Sequence, residues 1–270
     1  MEKLPLLLEP DDLEQSLSRP DILIVDLSRS STHAQAHIPG AVHMGYAQLT
    51  LGRRPAPGLL PSPEELSSRL SALGLRRDLH VIAYDDEGGG NAARLLWTLD
   101  TVGHTRYSLL NGGLHAWANE EHPLEQTINR PGEARFEVRG FGEAHIEIGD
   151  VMAKLGRGET LFLDSRSPEE FSGARRYAAR GGHIPGAVNI EWTRFMDEER
   201  NLRLLPPHAL DALLASAGVS PDREVITYCQ THHRSSHTWF VLKSLGFERV
   251  RGYAGAWAEW GNRQDTPVEE

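Results

Sequence analysis

The chain has 270 residues, enough for two ordinary domains, and a formal net charge of −10 that argues against a nucleic-acid or anionic-membrane surface. No apolar run approaches the ~18 residues of a membrane-spanning helix. With one cysteine, Cys229, no intrachain disulfide can form, and residues 1–9 are apolar too briefly to be a secretory signal, so the expected setting is cytoplasmic.

Taken in chain order, residues 11–18 predict a helix and residues 22–26 a strand that ends in Asp26. Ser62 is placed as a helix N-cap, with Pro63 at the first helical position and Glu65 three residues after the cap; this helix runs to about Leu73 and stops at Gly74. Residues 79–84 predict a strand, 91–102 a helix and 107–110 a strand. The turn-rich Asn129-Arg130-Pro131-Gly132-Glu133 is the best linker candidate. Beyond it come a helix at 149–155, a strand at 160–164, a helix at 207–217, a strand at 224–228, a helix at 235–245 and a strand at 249–252. Such alternation implies an α/β fold with a mainly parallel sheet flanked by helices, whose ligands bind beyond the carboxyl ends of the strands.

The second half repeats the first. His37-Ile38-Pro39-Gly40-Ala41 recurs as His183-Ile184-Pro185-Gly186-Ala187, and Val81-Ile82-Ala83-Tyr84 recurs as Val225-Ile226-Thr227-Tyr228. Asp26 matches Asp164, and the segment around Trp117 matches that around Trp257 and Trp260. The expected division is residues 1–128, a linker at 129–142 and a second domain at 143–270. His37 and His183 stand in both copies and are therefore assigned to the fold, as are the tryptophans. Asp164 and Arg166 are read as a structural ion pair behind the site.

The chemistry concentrates where the copies differ. In the second, an apolar strand stops at Cys229, and Gln230-Thr231-His232-His233-Arg234-Ser235 leads into a helix. Loop N–H groups, a helix N-terminus and nearby cations stabilise a thiolate. The residues after Cys229 look too polar for a core, which favours a reactive over a structural cysteine. In the first copy Asp85 fills that position, within Asp85-Asp86-Glu87-Gly88-Gly89-Gly90. An aspartate is no soft nucleophile, so the first domain is expected to be catalytically silent. His233 and His237 are four apart, but no metal motif surrounds them, and neither metal nor cofactor is expected.

The duplicated Asp-ended strand, the paired His-Ile-Pro-Gly-Ala motifs, the Cys loop and Gly252-Tyr253-Ala254-Gly255-Ala256-Trp257 resemble a tandem-domain rhodanese. That resemblance implies two rhodanese-like domains with only the C-terminal one active. The Cys229-Gln230-Thr231-His232-His233-Arg234 loop is similar to that of bacterial thiosulfate:cyanide sulfurtransferases. It departs from the Cys-Arg-Lys-Gly-Val-Thr loop of the vertebrate thiosulfate enzyme and the Cys-Gly-Ser-Gly-Val-Thr loop of mercaptopyruvate sulfurtransferases. The implied reaction takes the sulfane sulfur of thiosulfate onto Cys229 as a persulfide and passes it to cyanide or a thiol. Gln230, Thr231, His232, His233, Arg234 and Ser235 are the expected substrate-binding cradle, with Arg234 pairing to the sulfonate. Asp164 to His183 spans 19 positions against 11 from Asp26 to His37, and the longer stretch carries Arg175, Arg176 and Arg180. By resemblance Arg176 aligns with the family's substrate-binding arginine. The alternatives are a mercaptopyruvate sulfurtransferase, a persulfide carrier serving a partner protein, and a phosphatase or arsenate reductase on the same fold. Phosphatases of this fold use Cys-x5-Arg, one residue longer than Cys229-x4-Arg234. A monomer is the default, because the duplication already supplies a pseudo-dimer.

Overall fold

The computed structural model describes residues 4–270; residues 1–3, the first of the amino-terminal stretch considered above, lie outside the described residues. The first repeat runs β1 (Leu7–Leu8), α1 (Pro10–Ser16), β2 (Ile22–Asp26), α2 (Ser30–Gln35), β3 (Val42–His43), α3 (Pro63–Ala72), β4 (His80–Tyr84), α4 (Gly90–Thr101), β5 (Tyr107–Leu110) and α5 (Gly113–Asn119). The second runs β6 (His145–Ile146), α6 (Ile148–Ala153), β7 (Thr160–Asp164), α7 (Pro168–Phe171), β8 (Val188–Asn189), β9 (Met196–Asp197), β10 (Arg203–Leu204), α8 (Pro207–Ser216), β11 (Glu224–Tyr228), α9 (Arg234–Ser244), β12 (Val250–Tyr253) and α10 (Ala256–Trp260).

Each repeat builds a five-stranded parallel sheet, ordered β1-β5-β4-β2-β3 and β6-β12-β11-β7-β8. The central strands, β4 and β11, are buried along almost their whole length and carry Val81-Ile82-Ala83-Tyr84 and Val225-Ile226-Thr227-Tyr228, as a sheet covered on both faces requires. Their registers agree: Asp26 pairs with Tyr84 and Asp164 with Tyr228. Each tyrosine hydroxyl accepts the N–H of the isoleucine in the His-Ile-Pro-Gly-Ala motif at 3.2 Å, in Ile38 and Ile184. This ties a distant loop to the strand beneath it. His37 bonds the carbonyls of His33 and Thr127 through its ring, and His183 bonds that of Phe171, so both histidines serve the fold. Trp117 donates to Pro123 O and Trp260 to Pro267 O, both at 2.7 Å, from inside the two apolar cores. Ser62 and Glu65 form the expected capping box.

By packing, the chain falls into two discontinuous units. The first takes the chain up to Leu49, Pro61–Gly142 and Met196–Leu204; the second takes Thr50–Leu60, Glu143–Phe195 and Leu205–Glu270. Residues 129–142 run as an extended strap in the first unit. Phe136 and Val138 are buried there, and their N–H groups donate to Ser71 Oγ and Ser67 Oγ of α3. The hairpin β9–β10 belongs to the first unit, where Arg203 holds Glu9 and Glu120. The arm at 50–60 belongs to the second, closed by bonds from Leu51 N to Leu59 O and from Gly52 N to Pro57 O. Among the described residues no helix is long and apolar enough to cross a membrane.

Candidate active site

Cys229 follows β11, the middle strand of the second sheet, and α9 opens five residues later. The loop between them is fastened from outside. Trp257 N–H and Ala258 N–H, in the first turn of α10, donate to the carbonyls of Cys229 and Gln230, each at 2.9 Å. A helix start has spare N–H groups, and spending them on these carbonyls turns the loop's own N–H groups the other way, toward the sulfur. Gln230 Nε2 donates to Tyr177 O at 3.2 Å, anchoring the loop to the longer 164–183 connection. From the 50–60 arm, Gly58 lies so close that a Cβ there would stand 2.2 Å from Thr231 O.

Four groups act on the Cys229 thiol. Burial raises its pKa, but the Arg234 charge, the Ser235 hydroxyl and the N–H groups of Ser235 and Thr231 outweigh burial and hold it below the ordinary thiol value. The N-terminus of α9 adds its dipole.

Arg234 is held in turn by Glu170: Nη1 reaches Oε2 at 2.6 Å and Nη2 reaches Oε1 at 2.9 Å. Glu170 also closes the capping box of α7 with Ser167. Both guanidinium forks thus point at a carboxylate of this chain, while the positive charge acts on the sulfur. Burial raises the Glu170 pKa, and Arg234 outweighs it to give a net fall.

The surroundings correct one step of the sequence reasoning. Polarity after Cys229 implied exposure, yet Cys229 is 1% exposed and His232, Ser235, Ser236, His237 and Thr238 are fully buried. Their hydroxyls are satisfied within the fold: Ser235 Oγ lies 2.7 Å from His232 Nδ1, Ser236 Oγ donates to His232 O, and Thr238 Oγ1 lies 2.8 Å from Ser165 Oγ, whereas both ring nitrogens of His237 are buried without a hydrogen-bond partner among the described residues. His232 has a left-handed backbone, φ +56°, which disfavours a residue with a Cβ by roughly 1 kcal/mol. His233 and His237 both meet the Trp192 ring edge to face, at 5.7 and 5.4 Å, and burial lowers the His237 pKa to about 3.

The basic connection is divided in its duties. Arg180 bonds the carbonyls of Thr266 and Trp260 and closes the carboxyl-terminal segment. Arg176 bonds Gly173 O at 3.3 Å and faces Glu270 at 3.9 Å, with its side chain 59% exposed. Tyr177, beside it, is the residue tied to the cysteine loop. Arg166 makes the expected buried pair with Asp164, at 2.6–3.0 Å, and its guanidinium lies 4.5 Å over the Trp257 ring.

The first unit supplies an internal control. Asp85 stands where Cys229 stands, and its carboxylate accepts N–H bonds from Glu87 at 3.0 Å, Gly89 at 2.8 Å and Ala92 at 2.9 Å. The cradle there is already filled by a carboxyl group of the chain, whose pKa burial raises against the pull of those N–H groups. Met196, from the β9–β10 hairpin, packs against Gly88, where a Cβ would meet its sulfur at 2.5 Å. The Gly run therefore presents no open anion site.

The model of the rhodanese-like domain matches residues 9–120 and 147–263. The chain is 46% identical to the thiosulfate sulfurtransferase of Azotobacter vinelandii over 266 residues, covering 98% of this chain and 97% of that one. It is 32% identical to the 3-mercaptopyruvate sulfurtransferase of Escherichia coli (strain K12), covering 96% of each. Among solved structures, the 3-mercaptopyruvate sulfotransferase SseA from Escherichia coli superposes with a TM-score of 0.84 at 29% identity, covering 94% of this chain and 99% of that one.

Proposed function

The chain belongs to the rhodanese-like family, both repeats matching its domain, and from that premise we propose that it is a thiosulfate sulfurtransferase whose nucleophile is Cys229. The Cys229 thiolate attacks the outer sulfur of thiosulfate. The sulfur–sulfur bond breaks, its electron pair leaves with sulfite, and Cys229 carries the outer sulfur as a persulfide. Cyanide or a thiol then attacks that sulfur and returns the thiolate, a two-step covalent cycle. The protein supplies preorganised donors for an anionic sulfur in both states. The N–H groups of Thr231 and Ser235 and the Ser235 hydroxyl serve this role. Gln230 and His233 line the same loop, and Arg234 contributes its charge from its seat on Glu170. Arg176 is assigned to drawing in the anionic donor from the exposed connection.

The observation that carries the reading is the contrast between the loops. One N–H cradle surrounds a cysteine whose pKa is lowered; its twin is filled by Asp85. Residues 1–128 are accordingly assigned as the silent domain and 143–270 as the catalytic one, joined by 129–142. A single cysteine suits a reducing, cytoplasmic setting. We take the chain to act as a monomer without cofactor or metal.

The test is intact mass after incubation with thiosulfate and removal of the excess. A gain of one sulfur atom, released by cyanide as thiocyanate and absent in Cys229→Ser, is the expected result. A gain with mercaptopyruvate alone would move the donor to that class. No gain with either, alongside hydrolysis of an aryl phosphate, would overturn the reading.

A further inference from the structure

We infer that His232 is a positioning residue for the Cys229 thiolate: its ring holds the Ser235 hydroxyl so that the hydroxyl proton points at the sulfur. The inference rests on Cys229 being the reactive thiol of the proposed reaction.

Two independent observations carry it. The first is backbone conformation. His232, three residues after Cys229, has φ +56°; Gly88, three residues after Asp85, has φ +94°. The turn is the same in both units, and glycine is its natural occupant. The silent unit uses glycine. The unit with the cysteine keeps a histidine there against the steric preference, buried from solvent. Strain of this kind persists where a side chain is needed.

The second observation is what that side chain does. His232 Nδ1 lies 2.7 Å from Ser235 Oγ, and the Ser235 hydroxyl is among the groups that hold the Cys229 thiol below its ordinary pKa. A serine hydroxyl has one proton. When that proton is directed at the anionic sulfur, Oγ can only accept from the histidine, so Nδ1 must carry the hydrogen. The chain of donation is then Nδ1–H to Oγ and O–H to Sγ. Without the ring, the hydroxyl is free to turn its proton to another acceptor. Asn91 stands at the Ser235 position of the silent loop, where no sulfur needs a donor. Arg234 and Glu170 complete the charged surroundings of the thiol and are untouched by changes at residue 232.

Alkylation of Cys229 by iodoacetamide as a function of pH tests this, because the only cysteine in the chain gives an unambiguous signal. His232→Gly removes the ring and relieves the left-handed backbone. His232→Asn restores a donor on a residue that tolerates this conformation. We expect His232→Gly to melt no lower than the wild type. Its alkylation midpoint should rise by about one pH unit, making the reaction about tenfold slower at pH values well below the wild-type midpoint. His232→Asn should recover most of that loss. Ser235→Ala should shift the midpoint similarly, and adding His232→Gly to it should shift it no further. A wild-type profile in His232→Gly, equal shifts in the Gly and Asn variants, or additive shifts with Ser235→Ala would each overturn the inference. A wild-type chain that takes no sulfur from thiosulfate yet shows these shifts would refute the proposed reaction and leave the positioning role standing.

Discussion

Glu170→Gln separates two jobs that one carboxylate performs. The amide keeps an acceptor for Arg234 and still suits the third position of the α7 capping box. It removes one negative charge and one of the two bonds at 2.6 and 2.9 Å. The side chains are 5% exposed for Glu170 and 21% for Arg234, so the pair is largely shielded from solvent. Breaking such a pair costs about 3 kcal/mol, the lower end for buried pairs because an acceptor remains. For a protein of this size that is a fall in Tm of roughly 6–12 °C. The pH dependence has a definite sign. The folded Glu170 pKa lies below its ordinary value of 4.5, so its stabilisation is complete above that value and is lost as pH falls through the folded pKa. The gap in stability between wild type and variant should be full at neutral pH and shrink in acid below about 4.5. The thiol should respond in the opposite sense to stability. An Arg234 without its counter-charge stabilises the thiolate more, so alkylation of Cys229 should shift to lower pH. Denaturation monitored by circular dichroism across pH, with iodoacetamide kinetics on the same samples, measures both. A thiol profile that moves to higher pH would refute the reasoning and make Glu170 the residue that aims Arg234. A stability gap that persists in acid would refute the ion-pair account.

Cys229→Ser should abolish sulfur loading and thiocyanate formation in the mass and colorimetric assays while shifting Tm by less than about 3 °C, since the volume change is small. Gly58→Ala places a methyl group 2.2 Å from Thr231 O and should destabilise by roughly 1–3 kcal/mol while slowing thiosulfate turnover; full turnover would show that the arm does not brace the loop. Asp85→Ala leaves three loop N–H groups without their carboxylate and should cost roughly 3 kcal/mol in chemical denaturation. Sulfur loading of Cys229 in that variant, measured by mass, should remain at one atom per chain.

Much of this was legible in the sequence. The strands 22–26, 107–110, 160–164 and 224–228 stand where their apolar-rich runs place them, because parallel strands covered on both faces bury nearly every position. The cysteine loop was legible through its contrast with Asp85. The two-residue strands β1, β3, β6 and β8 carry no periodicity and exist only by pairing with longer neighbours. Glu170 was missed because it lies 59 positions before Cys229, although Ser167-Pro168-Glu169-Glu170 is a helix-start pattern that places it at the third position. The buried polar turn of α9 was misjudged because burial of a hydroxyl depends on whether a partner awaits it, and partners are a property of the fold.

The discontinuous units bear on how the duplication can be dissected. A cut after Gly142 looks natural from the repeats, yet it gives neither half a whole unit. The carboxyl-terminal piece would lack the 50–60 arm that lies on Thr231, and the amino-terminal piece would lack the 196–204 hairpin that covers Gly88. Each gene half has handed a fragment to the other. No single cut therefore separates the two units, and a dissection that keeps both whole must carry residues 50–60 with the second and residues 196–204 with the first.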